Sequence, residues 1–156
     1  MKVGVIGAGA ISDIYLQNMI GKFDNLEVLS IAATHLDHAQ HKGDMYGLRA
    51  CTVDEMLADP EIELVVNLTP AAVHYELNKK ALLAGKHVYT EKVMTDNPET
   101  AEELVRLADE KGFTLALHLT PSWALHGRPP KKQSKTDSLA KLLLFQPRPI
   151  DATMCF

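Results

Sequence analysis

The chain is poor in cysteine, in long apolar runs and in positive charge. Only Cys51 and Cys155 occur among its 156 residues, far apart, so it lacks the disulfide framework that small secreted domains need. No stretch approaches the roughly 18 to 20 consecutive apolar residues of a membrane span, and the opening Met-Lys-Val-Gly-Val-Ile-Gly is too short an apolar run for a secretory signal. The expectation is a soluble, unexported chain in the reducing cytoplasm. Sixteen Lys and Arg against twenty Asp and Glu give a net charge of -4, which leaves no basic field for nucleic acid or an anionic membrane. Expected partners are therefore small molecules. With 46% hydrophobic and 23% charged residues, the composition suits one ordinary soluble domain and excludes a disordered tail or a collagen-like fibre.

That average conceals a break. Residues 1–117 hold ten basic and eighteen acidic residues, a net of -8, whereas residues 118–156 hold six basic and two acidic, a net of +4. Five of the eight prolines fall between Pro121 and Pro149, and no glutamate follows Glu110. Such a switch predicts a boundary near residue 118.

Before that boundary, strand and helix patterns alternate. Val3 to Ile6 is an apolar run ending in Gly7, and Ala10, Ile11, Ile14, Tyr15 and Met19 follow at helical spacing. Leu26 to Ala33 and Leu64 to Leu68 read as buried strands. Thr52 and Glu55 form a capping box that opens a short helix, which Asp59-Pro60 stops. Val73, Leu77, Ala81 and Ala84 predict one helix face, with Gly85 as the stop and His87 to Thr90 as the next strand. Asn97-Pro98 opens a further helix, closed by Lys111-Gly112 and followed by an extended segment over Phe113 to Leu117. Continuous apolar strands separated by helical crossovers predict a doubly wound α/β domain with a parallel sheet, whose ligand lies beyond the carboxyl ends of the strands.

The residues at those ends carry the chemistry. After the first strand comes Gly7-Ala8-Gly9-Ala10-Ile11-Ser12. Gly7 permits the sharp turn and Gly9 lets a pyrophosphate approach backbone N–H groups at a helix start, while Ser12 replaces the third glycine of the usual pattern. A dinucleotide is the expected ligand, with S-adenosylmethionine and a methyltransferase activity as the competitor. Gly7, Gly9, Ala10 and Ile11 are candidate cofactor-binding residues, and so is Thr34 at the end of the second strand. The ribose signal there is poor, because the nearest acid, Asp37, lies further into the loop, and the choice between NAD and NADP stays open.

From residue 64 onward the sequence reads LVVNLTPAAVHYELNKKALLAGKHVYTEK. Together with the opening VGVIGAGAIS, the Thr69-Pro70 pair, His74, the run Ala84-Gly85-Lys86-His87-Val88 and Glu91-Lys92, it resembles the glucose-fructose oxidoreductase, inositol dehydrogenase and rhizopine-catabolism (Gfo/Idh/MocA) family of NAD(P)-dependent oxidoreductases. The resemblance covers residues 1 to about 117. It implies a Rossmann NAD(P)-binding fold, Thr69 and Pro70 beside the nicotinamide, Glu91 touching the cofactor, and Lys92 as the catalytic residue that orients or protonates the substrate oxygen during hydride transfer. Such a cation suits the chemistry, since a lysine near a carbinol oxygen stabilises alkoxide charge or relays its proton. His74 has two readings that stay open, cofactor contact or packing with a backbone hydrogen bond. Val93 stands where the family usually has proline. A trans Lys92-Val93 bond is expected, because a cis bond before a non-proline residue costs about 2.5 to 4 kcal/mol, and this predicts weaker or misdirected substrate contact. His35, His38 and His41 suggest a metal by their spacing, but no Cys or carboxylate cluster completes the set and no metal is assigned. Cys51 is read as packing at a strand edge.

In the family such a chain continues into a second α/β domain carrying the substrate pocket, through whose open sheet members commonly associate. Residues 118–156 do not resemble it, and no oligomeric state is assigned. Synonymous codons for His118 to Gln146, read from the third base, can yield PDTFLGASWATAKEAIEDGFIGKAIAFS, which resembles the family's own continuation. The expected organisation is a dinucleotide-binding domain over residues 1–117 and an aberrant tail over 118–156, translated out of frame; the competing view is a genuine tail that docks on the sheet or mediates assembly. The implied activity is hydride transfer at a hydroxyl-bearing carbon of a sugar, cyclitol or related polyol. In the present chain a competent cofactor site with negligible turnover is expected, with a non-catalytic dinucleotide-binding module as the alternative.

Overall fold

A computed structural model of the chain describes residues 1–118; the expectations for the tail beyond them lie outside the described residues. The strands are β1 (Lys2–Ile6), β2 (Glu27–Ala32), β3 (Arg49–Cys51), β4 (Leu64–Asn67), β5 (His87–Thr90) and β6 (Leu115–Leu117). All pairs are parallel and the sheet order is β3-β2-β1-β4-β5-β6, the doubly wound order of a Rossmann fold. The helices α1 (Ala10–Lys22), α2 (Leu36–Tyr46), α3 (Val53–Ala58), α4 (His74–Leu83) and α5 (Pro98–Lys111) supply the connections. The buried face includes Ile6, Ala32, Met56, Ile62, Val65, Leu82, Val88 and Leu104. Burial of these apolar groups is what holds the crossovers onto the sheet.

Local signals act where the sequence places them. Thr52 and Glu55 form both halves of the capping box, with Thr52 N–H donating to Glu55 Oε2 at 2.8 Å and Glu55 N–H to Thr52 Oγ1 at 3.2 Å. Asn97 caps α5 by accepting from Glu99 N–H at 2.8 Å, and Gly112 ends that helix. Between α1 and α2, Lys42 and Tyr46 both donate to the Asp13 carboxylate. The bond from Lys42, reinforced by Tyr46, holds the Asp13 carboxyl below the usual carboxylate value of 3.8. A carboxylate lowered on folding stabilises the protein above its unfolded value, and the gain disappears as pH falls through its folded one. In an acid titration followed by circular dichroism, Asp13→Asn is therefore expected to flatten the loss of stability below pH 3.8. The effect is small because the side chain is about one-third exposed.

One expectation about a helix face is corrected. The face of α4 is not the run Val73, Leu77, Ala81 and Ala84: a 3-10 turn over Ala71–Val73 precedes the helix, Val73 is exposed, and the buried residues are His74, Asn78, Ala81 and Leu82. The turn shifts the phase, and two polar side chains take inward positions because they find partners there. On α1, Ile11 is 40% exposed at the carboxyl edge of the sheet, whereas Ser12 is fully buried.

Candidate dinucleotide site

The strand order reverses at β1, and the carboxyl ends of β1, β2 and β4 meet there. Ile6 is in register with Ala32 on one side and Asn67 on the other. Beyond it the chain turns at Gly7, which has φ +113°, and Gly7 N–H donates to Ala32 O at 2.8 Å. A Cβ on Gly7 would lie 2.8 Å from the carbonyl carbon and oxygen of Leu68, so only glycine fits between the two strand ends. Gly9 differs: its φ of -76° suits any residue, and a Cβ there would meet nothing within 4 Å. Its value lies in the open space beside it. Gly9 caps α1 with no side-chain hydrogen bond and Ser12 N–H donates to Gly9 O at 3.1 Å, which leaves the N–H groups of Ala10 and Ile11 to an anion from outside the helix. Ser12, in place of the third glycine, turns its hydroxyl back onto Gly9 O at 2.6 Å and so tolerates close packing of helix on strand.

A cleft of about 630 Å³ opens at this edge, within the size range of small-molecule sites. Gly7 and Gly9 line it at one end, Thr34 at the tip of β2, and Thr69 and Pro70 after β4. Ala10, Ile11, His74, Glu91 and Lys92 are not among its lining residues. The turn, the uncapped helix start and the open space at Gly9 fit the pyrophosphate of a dinucleotide, so Gly7, Gly9 and the first turn of α1 would hold it.

Ala10 and Ile11 are exposed on the first turn of α1, whereas His74 and the Glu91-Lys92 segment are tied to a polar network behind the cleft, centred on buried Asn67, which sequence reasoning passed over. Its side-chain oxygen accepts from Thr69 N–H at 3.2 Å and from Thr69 Oγ1 at 2.6 Å; its amide donates to Asn78 Oδ1 at 2.8 Å, and its backbone oxygen accepts from Glu91 N–H at 3.0 Å. One residue thus anchors both the Thr69-Pro70 and the Glu91-Lys92 segments. A polar side chain closing an apolar strand directly before Thr-Pro was the available signal. His74, 1% exposed, places Nδ1 2.6 Å from Val93 O and Nε2 2.6 Å from Thr69 O, and so ties the same two segments together.

Tyr15 on α1 donates its hydroxyl proton to Glu91, and burial followed by that bond pushes the phenol well above the usual tyrosine range. It stays a donor. Burial likewise pushes Tyr89, beneath it, up to about 12. Lys92 is exposed, and its N–H donates to Glu91 Oε2 at 3.1 Å. The Lys92-Val93 bond is cis, contrary to the trans expectation. That expectation weighed only the local amide preference, whereas the Val93 carbonyl is engaged by the buried His74. The inference of misdirected substrate contact loses its basis.

His35 and His38 also line the cleft, with their rings 5.6 Å apart edge to face. Among the described residues, no group of three or more His, Cys, Asp or Glu is placed to hold a metal ion, and no helix is long and apolar enough to cross a membrane. Cys51 is buried on the edge strand β3, where burial raises its thiol above the usual value. Val53, Glu76, Leu77 and Lys80 also line the cleft.

Residues 1–119 match the model of the GFO_IDH_MocA family, described as an oxidoreductase family with an NAD-binding Rossmann fold. The chain belongs to this family. A curated relative, the scyllo-inositol 2-dehydrogenase (NADP(+)) of Bacillus subtilis, is 33% identical over 124 residues, which are 79% of this chain and 34% of that one. An uncharacterized oxidoreductase of Schizosaccharomyces pombe is 34% identical over 150 residues, 94% of this chain and 41% of its own. Among solved structures, a 3-ketoreductase from Actinomadura kijaniata, in complex with TDP-benzene and NADP, superposes with a TM-score of 0.72 at 31% identity and covers 76% of this chain and 38% of that one. The Gfo/Idh/MocA chain described here therefore spans about a third to two-fifths of the length of these relatives. Its cofactor is NAD or NADP, and the S-adenosylmethionine alternative is set aside.

Proposed function

We propose that this chain is the cofactor-binding part of an oxidoreductase that transfers a hydride at a hydroxyl-bearing carbon of a sugar, cyclitol or related polyol. The observation that carries the reading is the cleft at the strand-order reversal, where Gly7 at φ +113° abuts Leu68 and the uncapped start of α1 faces open space. Gly7, Gly9, Ala10 and Ile11 bind the pyrophosphate at the helix start; Thr34 meets the adenosine ribose. Thr69 and Pro70 pack beside the nicotinamide, which when bound supplies or accepts the hydride. His74 and Asn67 hold the Thr69-Pro70 and Glu91-Lys92 segments in fixed relation, and Glu91, fixed by Tyr15, meets the cofactor. Lys92, exposed at that edge, holds the proton at the substrate oxygen when a substrate domain brings the polyol to it. Positioning of this kind is worth about 7 to 11 kcal/mol of barrier, so a form without substrate contacts binds cofactor and turns over negligibly.

The test is titration of reduced nicotinamide fluorescence, followed by a dehydrogenase screen with polyols. Saturable binding without turnover is the expected result and also fits a non-catalytic dinucleotide module, turnover of a polyol would show that the chain itself makes the substrate contacts, and absence of binding contradicts both readings. For the domain organisation, we propose that residues 1–117 form the cofactor domain and that the chain from 118 is read out of frame, on the compositional break found there. A genuine tail is the second reading, favoured by the Schizosaccharomyces pombe alignment, which at 150 residues runs past residue 118. Sequencing the source DNA across the codon for His118 and several hundred bases beyond decides between them.

A further inference from the structure

We infer that the cleft selects NADP over NAD, with Thr34, His35 and His38 receiving the 2′-phosphate of the adenosine ribose. This rests on the dinucleotide reading above and deepens it. A Rossmann site that prefers NAD places an Asp or Glu just beyond the second strand, where its carboxylate accepts from the ribose hydroxyl. Here β2 ends at Ala32, and the next residues are Ala33, Thr34 and His35. Ala33 lines the cleft with a methyl group and offers no acceptor. Asp37 is exposed in the first turn of α2 and is not part of the lining; the carboxylate that does line the cleft, Glu76, stands on α4 beside Lys80. An unmodified ribose at the tip of β2 therefore finds no carboxylate to accept from its hydroxyls.

A 2′-phosphate has the opposite requirement. It is acceptor-only and carries a charge of about -1.5 to -2 near neutral pH, so it seeks hydroxyl and N–H donors and the positive end of a helix. Thr34 brings a hydroxyl, and His35 and His38 each bring an imidazole able to donate. All three are exposed into the cleft, and the two rings lie 5.6 Å apart, close enough to address one phosphate together. His35 also caps the 11-residue helix α2 without a side-chain hydrogen bond, so its ring is not consumed by the cap. The histidine run acquires a role as an anion contact rather than a metal site.

The experiment compares 2′,5′-ADP with 5′-AMP on the full chain by isothermal titration calorimetry, with NADPH and NADH measured alongside. These adenosine fragments differ only at the 2′-position, so nothing depends on the nicotinamide end or on a substrate. The expected result is binding of 2′,5′-ADP at least about tenfold tighter than 5′-AMP, as charge-assisted hydrogen bonds to a phosphate provide. His35→Ala with His38→Ala is expected to bring that ratio within about threefold, and Ala33→Asp to lower or invert it through carboxylate-phosphate repulsion. Circular dichroism checks that these surface changes leave the fold intact. Equal or tighter binding of 5′-AMP, or a ratio unmoved by the double histidine variant, overturns the inference while leaving the dinucleotide site standing. If NADPH, NADH and both fragments all fail to bind, the dinucleotide reading itself is overturned and the preference falls with it.

Discussion

Gly7→Ala is expected to lose both stability and cofactor binding, whereas Gly9→Ala loses binding alone. At Gly7 a side chain must adopt φ +113°, which L-residues rarely do, and its Cβ would sit 2.8 Å from the Leu68 carbonyl. Backbone strain and overpacking together cost about 2 to 5 kcal/mol. No flexible side chain can move aside, because the clashing atoms belong to the backbone at the end of β4. At Gly9 the backbone is ordinary and the added methyl meets no atom within 4 Å, so stability should stay within about 0.5 kcal/mol. The same methyl occupies the approach of the pyrophosphate to the start of α1, and affinity for NADPH should fall by about tenfold or more. Thermal melts beside fluorescence titrations read the two effects separately. Loss of stability in Gly9→Ala, or full cofactor affinity in Gly7→Ala, would contradict this division of labour.

His74→Ala should be comparably damaging for a different reason. The imidazole is 1% exposed and stands 2.6 Å from both Thr69 O and Val93 O. Removing it takes a hydrogen-bond partner from two partly exposed carbonyls and opens a cavity at the start of α4. Loss of such a hydrogen bond costs about 0.5 to 1.5 kcal/mol and the cavity adds to it, so a total loss of about 2 to 4 kcal/mol is expected. The functional effect follows from the geometry. Thr69 faces the cleft and Val93 adjoins Lys92, so losing the tie frees both segments. NADPH affinity should fall even at temperatures where the variant stays folded, although the ring does not line the cleft. His74→Ala with unchanged melting and unchanged affinity would show that the two segments are held by Asn67 alone.

The contrast between these two sites indicates what a sequence discloses. Gly7, Gly9, Thr34, Thr69 and Pro70 were readable because each follows an apolar strand, and strand ends are where a parallel sheet places its ligand. Capping signals were equally plain at Thr52 and Asn97, since they act within a few residues of themselves. Helix α2 and strand β3 escaped notice. Only Ala39 and Gly43 of α2 are buried, so it has no apolar stripe to detect, and β3 has three residues. On α4 the inward face carries His74 and Asn78, polar groups that are buried because Thr69, Val93 and Asn67 lie across from them. Apolar periodicity cannot find a face whose burial depends on long-range hydrogen bonds. The same limit hid Tyr15, whose partner Glu91 is 76 residues away, and the cleft-lining role of His35 and His38, which follows from where α2 starts.

The measurement that tests the central claim most directly is a proton-nitrogen correlation spectrum of the full chain during titration with NADPH. Backbone amides of Gly7, Gly9, Thr34 and Thr69 should shift together and saturably, with a single dissociation constant, while those of residues 101–111 on α5 stay in place. Shifts confined to α5 or scattered over the surface, or no shift at saturating NADPH, would contradict a dinucleotide site at the reversal of strand order.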